Sequence, residues 1–213
     1  MENGQCGVAP ESLSLATAKR AFDVICAAAG LLLLWPFFLT AAVWIKLDSR
    51  GPVFYRGVRI GLHGKPFRIF KFRTMVEDAE LRGSTATAHG DPRITRAGKR
   101  LRPYKLDELP QLLNVMQGEM SIVGPRPEVE EHTSCYMGPE KIILSVKPGI
   151  TDEASIRFYN LNELLGTEDP NGVFIARYRA EKNRLRVSYV ERRSFWGDLR
   201  IIFRTFHRML VRP

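Results

Sequence analysis

Cysteine is scarce in this chain of 213 residues, and its three copies, Cys6, Cys26 and Cys135, lie far apart. That spacing excludes a zinc site built on close ligand pairs and a disulfide scaffold of the secreted kind. The three read as free thiols in a reducing compartment. Histidine is nearly as sparse, and His63, His89, His132 and His207 show neither triad nor metal-ligand spacing. A Walker pattern and an internal repeat are missing, and residues 1–16 lack the basic start and cleavage site of a secretory signal, so they read as a flexible tail. Acidic residues are also in deficit: 23 Asp and Glu face 32 Lys and Arg, for a net charge of +9. An anionic partner is expected, whether nucleic acid, anionic lipid or a phosphorylated substrate. Nucleic acid is disfavoured because the basic residues are spread along the chain without a reader motif. The length suits one compact domain with a short appendage.

What the chain has in excess is one long apolar run. From Val24 to Ile45 no side chain is charged, which is about 22 residues, or roughly 33 Å as a helix, and meets the length of a membrane span. Pro36 lies near its centre, where it removes a backbone donor and crowds the preceding turn. Lys19 and Arg20 precede the run, and Lys46, Arg50, Arg56 and Arg59 follow it, so the positive-inside rule places both ends in the cytoplasm. Helix, break and returning helix over residues 17–50 satisfies both facts. An ordinary transmembrane helix with a tolerated proline is the alternative.

Residues 51–213 follow as a second unit. Val53–Ile60 and Pro66–Thr74 are rich in β-branched and aromatic residues, and Gly61–Gly64 between them makes a hairpin turn. Val76 opens an expected helix that fades into a Ser, Thr and Gly loop by Gly90, and Asp91-Pro92-Arg93 reads as a turn. Apolar periodicity runs from Ile94 to Met120, broken at Pro103 and Pro110. Near the end, Phe195, Trp196, Leu199, Ile202, Phe203, Phe206 and Leu210 alternate with Arg200, Arg204 and Arg208. Such a helix lies at a bilayer surface or packs its apolar face on the core with the basic face in water.

Asp107 and Glu108 stand just before Pro110, and proline enters helices in their first turn, so the pair is expected at a helix N-terminus. An ionised carboxylate there can attack a phosphoryl centre, and two together can hold a magnesium ion against substrate phosphates. Taken alone, acidic residues in a first turn are ordinary caps. The surroundings are basic: Lys71 and Arg73 alternate about Phe72, which on a strand puts both cations on one face. Arg102 lies a little upstream of the pair, and Gly124-Pro125-Arg126-Pro127 holds an arginine on a stiff turn suited to gripping phosphate. A glycosidase is excluded, because its two carboxylates face each other across a sugar ring.

These motifs together resemble the bacterial sugar transferases, the monotopic polyprenyl-phosphate phosphoglycosyl transferases. The marks are Lys19-Arg20-Ala21-Phe22-Asp23, Lys71-Phe72-Arg73-Thr74-Met75, Asp91-Pro92-Arg93-Ile94-Thr95, Leu106-Asp107-Glu108-Leu109-Pro110-Gln111-Leu112, Gly124-Pro125-Arg126-Pro127-Glu128 and Lys147-Pro148-Gly149-Ile150-Thr151. The resemblance implies a compact α/β catalytic domain with a small irregular sheet, an N-terminal re-entrant membrane hairpin broken at Pro36, and interfacial amphipathic helices. It implies a UDP-sugar donor, a polyprenyl phosphate acceptor and Mg2+ held at Asp107 and Glu108. In this reading Asp107 is the nucleophile, Glu108 assists with metal or proton, and Lys71, Arg73, Arg102 and Arg126 bind phosphate or nucleotide. The cytoplasmic face of the bacterial inner membrane follows as the location, lipid as a partner, and a homodimer is compatible with exposed apolar surface.

The chain departs from the family pattern in four places. Trp35 stands where serine usually precedes the hairpin proline, and Gly57 where glutamine is common. Thr151-Asp152-Glu153-Ala154-Ser155 replaces the familiar Thr-Gly-Trp-Ala-Gln, and Arg186 stands where many relatives carry aspartate. That last inversion of charge keeps open a catalytically altered member serving as a membrane scaffold for glycan assembly.

Overall fold

The apolar run becomes one helix, α1 (Leu13–Asp48), with Pro36 inside it. The computed structural model describes residues 13–79, 90–164 and 169–211; most of the expected tail, and the Ser, Thr and Gly loop over 80–89, lie outside them. A helix interrupted at Pro36 is therefore not what forms. Proline forfeits one bond, to the Leu32 carbonyl, while the Leu- and Ala-rich flanks favour helix strongly enough to continue through it. In the absence of a serine before the proline, the Thr40 hydroxyl donates to the Phe37 carbonyl at 2.9 Å on the far side.

Both ends of α1 are pinned to the same body. At the start, Asp23 accepts the Ile122 amide at 3.0 Å, Arg20 donates to the Val115 carbonyl at 2.6 Å and Lys19 pairs with Asp198. At the end, Asp48 accepts the Ala97 amide at 2.8 Å. Between them one face packs inward, Ala27 and Leu31 against Phe67, Leu112 and Val115, and Phe37, Phe38, Ala41 and Ile45 against Phe72, Ala97 and Leu101. The other face leaves Leu32, Leu33, Trp35, Leu39 and Leu47 exposed, Leu33 at 76% and Leu47 at 82%. Its stretch Ala16–Asp48 is long and apolar enough to cross a membrane.

The expected hairpin forms as two short antiparallel pairs. Strand β1 (Phe54–Tyr55) pairs with β4 (Lys71–Phe72), and β2 (Val58–Ile60) with β3 (Pro66–Arg68), with Tyr55 opposite Lys71 and Arg59 opposite Phe67. Buried Asn114 fastens this ribbon to α3 (Gln111–Gln117), accepting the Phe70 amide at 2.8 Å and donating to the Arg68 carbonyl at 2.9 Å. Because β4 ends at Phe72, its alternation does not carry on to Arg73. That side chain is buried and turns to the end of α1, where one nitrogen donates to the Ile45 carbonyl at 3.3 Å, the Ser49 carbonyl at 2.7 Å and the Ser49 hydroxyl at 3.0 Å. A cation there sits at the C-terminal end of a helix, where the carbonyl dipoles favour positive charge. Arg73→Ala is expected to lower the melting temperature by about 4–8 °C, equivalent to about 2 kcal/mol. Thermal unfolding in detergent reads this, and an unchanged midpoint would mean that α1 closes its last turn unaided.

Beyond the ribbon the chain is mostly short helices. Glu77 and Asp78 make a turn, with Asp78 at φ 63°, and the rest of the helix expected from Val76 falls largely outside the described residues. The segment interrupted by two prolines resolves as α2 (Arg96–Leu101), 3-10 turns at Arg102–Tyr104 and Leu106–Glu108, and α3. A third strand pair, β5 (Ser121–Val123) beside β6 (Gly149–Thr151), is parallel. A Cβ on Gly149 would lie 2.0 Å from the Gly124 amide nitrogen, so only glycine lets these two chains cross at this distance. Helices α4 (Glu130–Thr133), α5 (Glu153–Arg157), α6 (Leu161–Leu164) and α7 (Pro170–Val173) lead to α8 (Arg179–Arg192) and α9 (Phe195–Leu210).

Helix α9 starts at Ser194, whose hydroxyl accepts the Gly197 amide at 3.1 Å. Of its two expected orientations, packing of the aromatic face on the core is ruled out. The inward stripe is Asp198, Ile201 and Thr205: Asp198 accepts the Tyr189 hydroxyl at 2.8 Å, Ile201 packs on Val123 and Ile156, and Thr205 meets Thr151 at 2.7 Å. Trp196, Phe203, Phe206 and Leu210 remain exposed, Trp196 at 78% and Phe203 at 71%. Phe195 meets Phe22 of α1 edge to face, so the two apolar helices begin side by side.

Candidate active site

Asp107 and Glu108 occupy the 3-10 turn Leu106–Glu108, one turn ahead of α3, with Pro110 at the cap position of that helix. Lys105 enters the turn at φ 56°, a left-handed conformation that reverses the chain and drives both carboxylates inward. They are buried, yet their surroundings separate them.

Glu108 is held from two sides. The Arg126 guanidinium binds it through both terminal nitrogens, one at 2.7 Å from Oε2 and the other on Oε1, and Lys71 reaches Oε1 at 3.1 Å. Burial alone would raise its pKa; the charges of Arg126 and Lys71 outweigh that and hold Glu108 well below the usual carboxylate range. Asp107 is shifted the other way, by burial and by the negative charge of Glu108, with Lys71, Arg102 and Lys105 opposing. Its Oδ1 is buried without a hydrogen-bond partner. A carboxylate oxygen with lone pairs uncommitted, beside a neighbour whose oxygens are fully engaged, is chemically the available one of the two. Lys71 is lowered to about 8, chiefly by burial, with Glu108 opposing. Four cations, Lys71, Arg102, Lys105 and Arg126, thus face two carboxylates, and the surplus suits a ligand bearing several negative charges.

The residues anticipated from sequence divide accordingly. Lys71, Arg102, Asp107, Glu108 and Arg126 come together, although Arg102 approaches through its charge while its guanidinium donates to Thr74 at 3.3 Å. Arg73 does not join them, for the reason given by the end of β4. Arg126 is committed to Glu108 and not left free as an open phosphate grip. Sequence reasoning missed Lys105, although its place two residues before Asp107 was a signal: a cation on the same tight turn cannot be far from the pair. It also missed Asp152. That side chain caps α5 by accepting the Ser155 amide at 2.6 Å and accepts the Arg126 amide at 3.1 Å, joining the carboxyl ends of β5 and β6.

Among the described residues no three acidic, His or Cys side chains are grouped to cage a metal. The donor set fits Mg2+ all the same, because that ion commonly takes one or two carboxylates and completes its shell with phosphate oxygens and water. Asp107, with its uncommitted oxygen, is the residue that would hold it, and Glu108 beside it would join by giving up a contact with Arg126 or Lys71.

The family model described as bacterial sugar transferase matches residues 14–212, nearly all of the chain. The chain belongs to the bacterial sugar transferase family. It is 40% identical over 196 residues to the UDP-glucose:undecaprenyl-phosphate glucose-1-phosphate transferase of Caulobacter vibrioides (strain ATCC 19089 / CIP 103742 / CB 15), covering 91% of this chain and 70% of that protein. The exopolysaccharide production protein ExoY of Rhizobium meliloti (strain 1021) is 38% identical over 203 residues, with 88% of this chain and 83% of that protein covered. The UDP-N-acetylgalactosamine-undecaprenyl-phosphate N-acetylgalactosaminephosphotransferase of Aeromonas hydrophila is 32% identical over 220 residues. There 99% of this chain is covered but 48% of the relative, so the transferase matches about half of that longer protein. Two of this transferase's departures from the family pattern, Asp152 and Arg186, meet in space, with the Arg186 Nε 3.5 Å from the Asp152 carboxylate. The inverted charge at 186 is therefore balanced within the fold by Asp152 and Glu128.

Proposed function

We propose that the chain transfers a sugar 1-phosphate from a UDP-sugar to polyprenyl phosphate through a phosphosugar carried on Asp107. The observation that carries this reading is the buried Asp107 oxygen without a partner, next to a Glu108 kept ionised by Arg126 and Lys71. Asp107 attacks the sugar-bearing phosphorus, a new P–O bond forms, and the bond to the bridging oxygen breaks with its electrons leaving on UMP. A phosphate oxygen of the acceptor then attacks the same phosphorus, which frees the Asp107 carboxylate and yields the sugar diphosphate lipid. Lys71, Lys105, Arg102 and Arg126 offset the charge of the donor diphosphate as it enters, and Lys71, Arg102 and Lys105 also oppose the upward shift of Asp107. Magnesium, when bound at Asp107 and Glu108, would supply Lewis-acid stabilisation of the departing UMP.

The membrane disposition follows from α1 and α9. With both ends of α1 fastened to one body, the unbroken apolar helix lies along one leaflet with its exposed Leu and Trp face in lipid and carries neither end across, on the cytoplasmic face of the inner membrane where nucleotide sugars are available. The exposed aromatic face of α9 lies at headgroup depth beside it, where the acceptor phosphate also lies. In a Trp35→Phe, Trp44→Phe background, Trp196 emission is expected to be quenched by lipids brominated on their acyl chains. Emission unaffected by bromine would place α9 in water.

The deciding test incubates nanodisc-held protein with magnesium, undecaprenyl phosphate and a panel of UDP-sugars, following UMP release and intact mass. Lipid-dependent UMP release with a phosphosugar adduct is expected, as is its loss in chelator and its return with magnesium. Full activity in excess chelator would remove the metal, and turnover without an adduct would remove the covalent route.

A further inference from the structure

Behind the reacting pair lies a second set of buried charges that the chemistry above does not use. Arg186, on α8, is 1% exposed and donates to Glu128 at 2.6 Å and to Asn183 at 3.2 Å, while its Nε faces Asp152 at 3.5 Å. Glu128 closes the Gly124–Glu128 loop, and its second oxygen faces His132 at 3.5 Å. Asp152 divides its oxygens: one caps α5 and the other is shared between Arg186 and the Arg126 amide. Arg126 stands between Pro125 and Pro127, neither of which has an N–H, so its amide is the sole backbone donor of that tripeptide and Asp152 takes it. Charged side chains therefore meet from Asp152 through Arg186 to Glu128, and Asp152 reaches Arg126 through the backbone amide while the Arg126 guanidinium holds Glu108.

We propose that Arg186 is a positioning residue which, with Asp152 and Glu128, clamps the Gly124–Glu128 loop on both sides of Arg126 and so holds the Arg126 guanidinium on Glu108. The consequence for turnover rests on the proposed transferase reading; the clamp itself does not. An arginine cannot shed its charge, and buried ionic triads add little net stability over a well-packed apolar core, so stability alone does not account for this one. What the triad supplies is a fixed origin for Arg126: one carboxylate sets its backbone, the other anchors the loop two residues on, and Arg186 bridges them.

Asp152→Asn separates the two duties of that side chain. The amide oxygen still caps α5, but an NH2 group now faces the Arg126 amide and Arg186, donor against donor. In the full chain held in nanodiscs, hydrogen exchange at Gly124, Arg126 and Glu128 is expected to accelerate about tenfold or more while α3 exchanges as in wild type. The kcat of UMP release should fall about tenfold to a hundredfold. Arg186→Met should match it, and Arg186→Lys, which restores a cation between the two carboxylates, should recover most of the loss. Wild-type exchange and kcat in Asp152→Asn would overturn the clamp. So would acceleration spread evenly over the domain, the mark of a residue that merely stabilises the fold. If the wild-type chain turns over no donor at all, the transferase reading fails separately, and the exchange pattern at the loop still decides the clamp.

Discussion

Asp107→Asn is expected to release no detectable UMP, carry no phosphosugar adduct, and melt at or above the wild-type temperature. The first two outcomes follow from removing the attacking oxygen, for which loss of about 10⁴-fold or more is the scale set by deleted nucleophiles. The third follows from electrostatics. Burial and the charge of Glu108 raise the Asp107 pKa in the folded protein. A carboxyl whose folded pKa lies above its unfolded value makes its ionised form unfavourable in the fold, so at neutral pH Asp107 lowers stability. A neutral amide of the same shape relieves that repulsion. Intact mass, UMP release and a thermal melt on one preparation measure all three, and residual turnover near wild type would remove Asp107 from its role. A lower melting temperature would mean that its oxygen has a structural partner after all.

Glu108→Gln should move stability the opposite way, although its neighbour in sequence is the residue just discussed. Here the folded pKa is depressed by Arg126 and Lys71, so the ionised form is favoured and its contribution is present at neutral pH, fading only as pH falls toward that depressed pKa. Removing the charge leaves two cations facing a neutral amide in a buried site. A loss of about 3 kcal/mol is the scale for breaking such a pair, which lowers the melting temperature by about 6–12 °C. Because Arg126 and Lys71 are no longer held in place, UMP release should also drop about 10²–10³-fold. Equal melting temperatures for the two variants would show that the turn does not separate its carboxylates as described.

Much of this site could be read along the chain because its information is local. The Asp107-Glu108 pair, the proline-bounded Arg126 and the Lys71 strand each announce themselves within a few residues, through turn chemistry and alternation. The charge-free run of α1 and the aromatic and basic pattern of α9 were legible for the same reason. Local pattern failed where a single residue decided the outcome. Arg73 fell out of the site because β4 stops one residue earlier than its alternation suggested, and Pro36 did not interrupt α1 because its helix-forming flanks carry the helix through it.

Sequence by itself determined the membrane-seeking segment, the family, the carboxylate pair and most of the cations around it, because hydrophobic length, turn residues and motif order are properties of neighbours in the chain. Only the tertiary structure decided which carboxylate keeps an oxygen free, that Arg126 spends its guanidinium on Glu108, that α9 turns its aromatics outward, and that Asp152 and Arg186 balance one another. Each of those depends on burial and on charges brought together from segments far apart in the chain. The strength of an electrostatic interaction is set by distance and by the loss of surrounding water, and neither exists until the chain has folded.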